Sequence, residues 1–422
     1  MLERFFIKPE TIDRIRASWI GEPIERYVVW LTENGYAARN IFRRVPILMH
    51  FGEFARARGA EKCDDLPEYV ARFAESWAKE RGKKCTSKRA RMGVLNEAQN
   101  PIQQMLRLVV PGYVGVGRSR RVQDPFPDCA SKFYAYLREE RGLRESTVRL
   151  YLHYLRGFEA FLGEISLYHL GELSPPVLSA YILKSSRTLS RSSMVSLCCC
   201  LRVFLRYLHR QRLLERDLSR VVDSPQKYRL SNVPRSISWD EVRRMLEAVD
   251  HRTSQGKRDY AVLLLLVTYG LRAHEIARMT LDDIDWKECR IRIPERKAGH
   301  WMTYPLSPIV GEAILEYLRH GRPQSPARQV FFRVLAPCRP LTSVAISILA
   351  AHYIKKAGIQ VARPGSHTLR HTCVQRLVEA NFDLKLIGDY VGHRSSSSTE
   401  IYTKVAIETL REVALGDGET VL

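Results

Sequence analysis

Hydrophobic residues between positions 124 and 225 recur at the three- and four-residue steps that are typical of amphipathic helices. One series passes through Val148 and Leu155, and Ser146 stands where the N-cap of that helix is expected. A second series fills one side of residues 192–209, with arginines lying off that side. The pattern predicts a helical domain over 124–225.

Residues 1–110 repeat the hydrophobic spacing of this helical domain. When Gly35 is aligned with Gly142, an offset of 107, hydrophobic positions superpose along the helix that follows. The superposed pairs are Ile41 with Val148, Leu48 with Leu155, Phe51 with Phe158 and Phe54 with Phe161. The repeat predicts a duplicated helical unit, and chance similarity between two amphipathic helices is the alternative.

Beyond residue 230 the pattern mixes helical and strand periods. Residues 289–293 alternate as a β-strand does, and 301–306 form the predicted return strand of a hairpin. Helical periodicity predicts helices over 239–249, 258–278, 309–319, 343–357, 367–380 and 383–391. The predicted fold class is mainly α with a small antiparallel β-sheet.

Two breaks in composition divide the chain. Residues 111–123 combine glycines with arginines, which predicts a basic linker, and 223–234 are rich in Pro, Ser and Asn before the capping box Ser238–Glu241. The predicted segments are an N-terminal helical segment, the linker, a helical domain, a larger domain and a tail, at 1–110, 111–123, 124–225, 230–415 and 416–422.

The composition narrows the class of protein. The 422 residues include 67 Lys and Arg against 46 Asp and Glu, for a formal net charge of +21, and 45% of them are hydrophobic, which excludes a wholly disordered chain. The longest apolar stretch, 260–271, is shorter than the roughly 20 residues that cross a bilayer. Charged residues interrupt the N-terminus where a signal peptide would be apolar. We expect a cytoplasmic protein with a polyanionic partner, although charge alone does not distinguish DNA, RNA and an anionic membrane surface.

Basic residues gather in two places outside the larger domain. Residues 79–91 hold seven basic residues around one acid, and the helix predicted at 192–209 has a basic face. The candidate phosphate-binding residues in these places are Lys83, Lys84, Lys88, Arg89, Arg202 and Arg206. A solvated face is the alternative for both.

No metal or other cofactor is expected. The nine cysteines include no C-x-x-C pair, so neither structural zinc nor a disulfide framework is indicated, and Cys198–Cys200 are expected to be buried thiols. Asp282, Asp283 and Asp285 are the nearest approach to a carboxylate cluster, and they are expected to cap or solvate the turn before the first strand of the hairpin.

Five features of the larger domain are informative in combination, although each of them alone is common in proteins. They are Arg272 with Glu275 at a helix start, Lys297 in the hairpin turn, His367 with Arg370 one helical turn apart, His393 at a helix end, and Tyr402 nine residues later. In this order and spacing they resemble the catalytic set of the tyrosine recombinases, the family of phage integrases. The strings TYGLRAHEIARM, SHTLRHT and VGHRSSSSTEIYTKV carry the resemblance, which covers roughly 230–415.

This resemblance implies a clamp around double-stranded DNA. A helical core-binding, SAM-like domain at 124–225 and the tyrosine recombinase catalytic domain at 230–415 would close on the duplex. Transesterification of a phosphodiester needs a nucleophile, neutralisation of the non-bridging oxygens and a proton for the departing 5′ oxygen. The resemblance makes Tyr402 the nucleophile, which would form a 3′-phosphotyrosyl intermediate without ATP.

The other motif residues have implied roles around this tyrosine. Arg272 and Arg370 would clamp the phosphate, because planar guanidinium groups match phosphate oxygens bidentately. Lys297 is the implied general acid, His367 the group that assists proton transfer from the tyrosine, and His393 a hydrogen-bond donor to a phosphate oxygen. Glu275 is expected to support the site.

The resemblance also implies an assembly. The tail after Tyr402 carries an apolar set that would dock on a neighbouring protomer, giving a homotetramer on two DNA sites, alone or with other recombinases; packing within its own chain is the alternative. The expected function is site-specific recombination or integration for a mobile element or plasmid. A type IB-like topoisomerase and a DNA-binding accessory protein of a recombination system are the alternatives.

Overall fold

The computed structural model describes residues 1–81, 87–115, 124–226, 235–293 and 302–392. The chain divides into two compact units, one formed by Val116–Ser231 and the other by Met1–Gly115 together with Asn232–Leu422. The described residues are mostly helical, with one small antiparallel sheet, which confirms the predicted fold class. None of the described helices is long and apolar enough to cross a membrane.

The described residues in the N-terminal part of the larger unit form five α-helices. They are α1 (Pro9–Ala17), α2 (Gly21–Glu33), α3 (Ala38–Arg56), α4 (Leu66–Arg81) and α5 (Lys88–Val109). Their apolar faces form one core, in which Tyr27, Leu48 and Phe51 are fully buried. A backbone hydrogen bond of 3.2 Å from the Cys338 amide to the Asn34 carbonyl connects this part to the rest of the unit.

The described residues of the smaller unit form four α-helices around a core of its own. They are α6 (Phe133–Glu139), α7 (Glu145–Glu164), α8 (Pro175–Ser186) and α9 (Arg191–Arg210). Phe133, Phe158 and Phe204 are fully buried at its centre. The predicted N-cap Ser146 is wrong, since α7 begins at Glu145 and its N-cap is Arg144. The expectation for Cys198–Cys200 holds for the first and last thiol, whereas Cys199 is exposed because it lies on the outer face of α9.

The helices α2 to α5 and α6 to α9 can be compared at the offset that the sequence pattern predicts. In both sets a glycine with left-handed backbone precedes the second helix, at φ +73° for Gly35 and φ +55° for Gly142. Buried positions of α3 match those of α7 at the 107-residue offset, and α5 matches α9 at an offset of 103. The matched buried pairs are Ile41 with Val148, Leu48 with Leu155, Phe51 with Phe158, Ala98 with Leu201, Ile102 with Leu205, and Met105 with Leu208.

The C-terminal part of the larger unit combines seven described helices with the sheet. Its elements are α10 (Trp239–Glu247), α11 (Ser254–Tyr269), α12 (Ala273–Arg278), β1 (Ile284–Asp285), β2 (Arg290–Ile293), β3 (Met302–Pro305), α13 (Pro308–His320), α14 (Ser343–Lys356), α15 (Ser366–Glu379) and α16 (Leu384–Val391). The strands pair antiparallel in the order β1-β2-β3, with Ile291 opposite both Ile284 and Tyr304. Helix α11 is the central element, because every residue over 261–267 is buried.

Two features of this part refine the sequence predictions. The helical run predicted over 258–278, with Arg272 at a helix start inside it, is divided into two helices, since Gly270 ends α11 in a left-handed conformation with φ +58°. The sheet has a third strand, β1, which is too short at two residues to show an alternating pattern.

Candidate functional site

The connection between α11 and α12 places Arg272 at the start of α12. Gly270 adopts φ +58°, and a Cβ built on it would lie 3.2 Å from Cys373 Sγ and 3.3 Å from Val391 Cγ1. Both the backbone angle and the close approach favour glycine. The chain therefore turns sharply against α15 and α16, and Arg272 is the N-cap of the next helix.

Glu275 holds Arg272 in position. One carboxylate oxygen of Glu275 accepts from the Arg272 backbone amide at 2.8 Å, and the other accepts from Arg272 Nη1 at 3.0 Å. The Glu275 side chain is 1% exposed and that of Arg272 is 23% exposed. The supporting contact expected for Glu275 from the sequence is present in the geometry, and it leaves the guanidinium partly open to a ligand.

Arg370 reaches the same place from α15. It is 5% exposed. Its Nη1 donates to the Gly270 carbonyl, and its Nη2 donates to the Val391 carbonyl at 2.6 Å. Arg272 Nη2 donates to the next carbonyl, that of Gly392, at 2.8 Å. The two arginines therefore converge at the C-terminal end of α16, although 98 residues separate them in the sequence.

His367 lies one turn before Arg370 on α15 and remains accessible to solvent. Partial desolvation, followed by the positive charges of Arg370 and Arg272, lowers the pKa of His367 below its ordinary value. The imidazole is therefore neutral at pH 7 and available as a proton acceptor. The structure thus brings together Arg272, Glu275, His367 and Arg370 among the residues predicted from the sequence.

Two further histidines near these arginines were not singled out in the sequence. Desolvation, with the charges of His367, Arg370 and Arg235, lowers the pKa of His371 to about 4. Desolvation also lowers the pKa of His274; the charge of Glu275 opposes this shift, and those of Arg272, Arg278 and Arg370 add to it. Both histidines lie inside the motif strings TYGLRAHEIARM and SHTLRHT, so their position in these strings could have marked them as site residues.

Two tyrosines fix the end of α16 to the rest of the domain. The Tyr304 hydroxyl on β3 donates to the Tyr390 carbonyl, and the two rings meet edge to face with centroids 5.1 Å apart. The Tyr390 hydroxyl donates to the Thr268 carbonyl of α11 at 3.1 Å. Because this network holds α11, β3 and α16 together, it fixes the backbone carbonyls that orient the two arginines.

Several predicted residues lie outside the described part of the chain. These are Lys83, Lys84, Lys297, His393 and Tyr402, and the side chain of Lys88 belongs with them. Arg89 is described and is exposed on the first turn of α5. The hairpin turn and the tail after α16, which carry the implied acid and nucleophile, are therefore known here from sequence alone.

The arginines on α9 hold a neighbouring segment of their own unit. Arg202 donates from Nε to the Val222 carbonyl at 2.8 Å and from Nη2 to Ser224 Oγ at 2.7 Å. Arg206 Nε donates to Ser219 Oγ at 3.2 Å. These contacts give both side chains a structural role in fastening residues 219–224 to α9, which the sequence pattern did not indicate.

The carboxylates near the sheet have protein partners. Asp282 accepts from Arg328 Nε at 2.6 Å, Asp283 accepts from the Thr280 amide at 2.7 Å, and Asp285 accepts from the Lys287 amide at 3.2 Å. Within the described residues no three His, Cys, Asp or Glu side chains are grouped so that they could hold a metal ion.

Comparison with known proteins extends beyond these motifs. Residues 235–409 match the model of the phage integrase family, and residues 130–212 match that of the phage integrase N-terminal SAM-like domain. A putative integrase/recombinase of Sinorhizobium fredii, y4rA, is 28% identical over 405 residues, covering 93% of this chain and 94% of that protein. Another from the same organism, y4gC, is 40% identical over 185 residues, covering 43% of this chain and 95% of that protein.

The fold is shared with solved structures. The XerH site-specific recombinase, bound to a palindromic difH substrate in a post-cleavage complex, superposes with a TM-score of 0.54. The match covers 83% of this chain and 96% of that one at 17% sequence identity. At this identity the likeness concerns the fold.

Proposed function

Because the chain belongs to the phage integrase family, the tyrosine recombinases, and is a DNA breaking-rejoining enzyme, we propose that it performs site-specific recombination through a 3′-phosphotyrosyl intermediate. The observation that carries the proposal is the convergence of Arg272 and Arg370 at the end of α16. Two guanidinium groups fixed on one spot form a strong site for a phosphate whose charge grows in the transition state.

The nucleophile of this reaction is Tyr402. Its oxygen attacks the phosphorus of the scissile phosphodiester, the bond to the 5′ oxygen of the next nucleotide breaks, and the 3′ phosphate stays on the tyrosine. Attack by the free 5′ hydroxyl of a second strand reverses these steps and rejoins the DNA. The energy of the phosphodiester bond is retained in the phosphotyrosine, so the exchange needs no ATP.

The remaining site residues transfer protons or stabilise the charge of the phosphate. Lys297 protonates the departing 5′ oxygen, and His393 donates a hydrogen bond to a non-bridging phosphate oxygen. His367 assists proton transfer from Tyr402, which agrees with the lowered pKa that keeps its imidazole neutral. Glu275 acts as a positioning residue because it touches Arg272 and not the reacting atoms.

The DNA is held by more than the catalytic residues. The helical domain at 124–225 and the catalytic domain at 230–415 both bind the duplex, and the segment at 111–123 connects the first of these to 1–110. The tail beyond Tyr402 docks on a neighbouring protomer, which assembles a tetramer on two DNA sites. The formal charge of +21 supports a DNA partner. The relatives named integrase/recombinase support a role in recombining the DNA of a mobile element or plasmid.

A two-site exchange assay separates this proposal from its alternatives. The purified chain is incubated with a supercoiled plasmid. The plasmid carries two copies of a duplex to which the chain binds specifically. We expect recombinant circles. Relaxed plasmid without recombinants would indicate a type IB-like topoisomerase, and binding with neither product would indicate an accessory protein.

Matched tyrosine variants complete this experiment. Tyr402→Phe removes only the attacking oxygen, so we expect it to bind the duplex and to form no recombinants. Tyr168→Phe is the control, because Tyr168 is 73% exposed in the other compact unit and outside the site. Recombination by Tyr402→Phe at the rate of the control would contradict the proposed nucleophile.

A further inference from the structure

A polar groove runs between α3 and α5 in the N-terminal part of the chain. Its volume is about 260 Å³, and four of the side chains that line it are Asn40 and Arg43 on α3 and Asn96 and Asn100 on α5. Asn96 and Asn100 are exposed and stand one helical turn apart. Within the described residues the three amide side chains make no hydrogen bond to protein, so they are available to an external partner.

The two arginines of this groove have different surroundings. Arg44 forms a fixed wall, since its Nη1 donates to the Tyr27 hydroxyl at 2.8 Å and to Gln104 at 2.7 Å, and it stacks over the Tyr36 ring. Arg43 is 58% exposed and donates from Nη2 to Glu97 at 2.7 Å. An exposed ion pair of this kind contributes little, so a stronger acceptor can replace Glu97 as the partner of Arg43.

The predicted internal repeat gives the groove a counterpart in the smaller unit. Helices α3 and α5 correspond to α7 and α9, which belong to the segment matching the SAM-like domain of phage integrases. The groove positions Asn40, Arg43, Asn96 and Asn100 correspond to Thr147, Leu150, Cys199 and Val203. The matched core positions are buried in both sets, whereas the groove positions are apolar or small in α7 and α9 and carry amide and guanidinium groups in α3 and α5.

Basic residues flank the groove at the helix starts. Arg39 precedes Asn40 on the first turn of α3, while Arg89 and Arg91 are exposed on the first turn of α5. Helix N-termini and arginines together bind phosphate, which fixes a protein on a duplex without reading its sequence. The amide groups between them have the chemistry for reading base edges, because Asn pairs bidentately with adenine and Arg with guanine in the major groove.

We propose that residues 1–115 are a second DNA-reading unit, in which the α3–α5 groove contacts base edges of duplex DNA through Asn96, Asn100 and Arg43. The inference rests on the proposed function for its DNA partner and extends it, since it assigns sequence reading to a part of the chain outside the catalytic and SAM-like domains. The two copies read different sequences, so each half of the recombination site has an inner and an outer recognition element.

The test is selection from a pool of randomised DNA duplexes by the full-length chain. We expect the wild-type chain to select two separated motifs, and the double variant Asn96→Ala, Asn100→Ala to select only the inner one. Arg43→Ala should weaken binding to the selected duplex at least fivefold, as expected for loss of one base contact. Arg72→Ala, which removes another exposed arginine, from α4, should change binding less than twofold.

A variant that is expected to bind DNA more tightly excludes misfolding as the explanation for weaker binding. Glu97→Gln frees Arg43 from its carboxylate and should tighten binding to the selected duplex severalfold, an effect that unfolding does not produce. Identical motifs and affinities for the wild-type chain and the Asn96, Asn100 double variant would overturn the inference.

Covalent adduct formation separates this inference from the proposed function. A nicked duplex that carries only the inner motif should be cleaved equally by the wild-type chain and by the groove variants. If the wild-type chain formed no adduct while its outer motif still depended on Asn96 and Asn100, the recombinase proposal would fail and the groove inference would stand.

Discussion

Replacing Gly270 with alanine tests whether the turn between α11 and α12 positions the arginine clamp. Gly270 has φ +58°, which costs a residue with a Cβ about 1–2 kcal/mol. The new Cβ would also lie 3.2 Å from Cys373 Sγ and 3.3 Å from Val391 Cγ1, and crowding of a packed core costs about 1–3 kcal/mol. We therefore expect Gly270→Ala to lower the free energy of unfolding by about 2–5 kcal/mol.

Gly358→Ala is the matched control for this substitution. Gly358 has a similar left-handed backbone at φ +71°, but a Cβ there meets nothing within 4 Å. Only the backbone cost applies, so we expect a loss of about 1–2 kcal/mol. The assay is urea denaturation of both variants and of the wild-type chain, with the slope against urea compared to ensure that one transition is measured.

The same pair of variants separates stability from chemistry. The Gly270 carbonyl accepts a hydrogen bond from Arg370, so a shifted turn moves a clamp residue, whereas Gly358 lies between α14 and α15. At a temperature where both variants are fully folded, we expect Gly270→Ala to form covalent adduct at least tenfold more slowly and Gly358→Ala to match the wild-type rate. Equal losses of stability and equal adduct rates in the two variants would refute this reasoning.

Further substitutions test single groups of the site. Arg370→Lys should slow adduct formation on the order of 100-fold with binding little changed, because an ammonium cannot reproduce the bidentate guanidinium; a wild-type rate would remove Arg370 from the clamp. Lys297→Ala should be rescued by a substrate with sulfur at the 5′ bridging position, since that leaving group needs no proton, and failure of rescue would exclude the lysine as the acid. Adduct formation should persist in excess EDTA, and dependence on added Mg²⁺ would contradict the metal-free scheme. The pKa of His371 is lowered to about 4, so between about pH 6.5 and pH 4 the unfolded chain binds a proton that the folded chain does not. The free energy of unfolding should therefore fall as the pH falls through that window. His371→Asn should flatten this pH dependence, measured by urea denaturation at several pH values.

The sequence was most informative where a physical pattern repeats over many residues. Helices such as α13 and α14 were predicted within a residue of their observed bounds, because their apolar stripes are long. A helix start at Arg272 was predicted, whereas the close approach that fixes the turn at Gly270 was not, since it depends on Cys373 and Val391, which are distant in sequence. Strand β1 is two residues long and exists only through pairing with β2.

The candidate site was predictable in its residues but not in its supports. The order of Arg272, His367 and Arg370 could be read from motif strings, whereas their orientation depends on the carbonyls of Val391 and Gly392. No residue pattern encodes a backbone carbonyl as a partner. The structural partners of Arg202 were unpredictable for the same reason, because one of them is the Val222 carbonyl.

The central claim is that Tyr402 becomes covalently joined to a 3′ phosphate of DNA. The direct measurement is mass spectrometry of the adduct trapped on a nicked duplex, after digestion of protein and DNA. The account predicts a peptide carrying a nucleotide 3′-phosphate on Tyr402, the matching DNA fragment with a free 5′ hydroxyl, and no such peptide from Tyr402→Phe. A nucleotide on any other residue, or a 5′-phosphate linkage on this one, would contradict it.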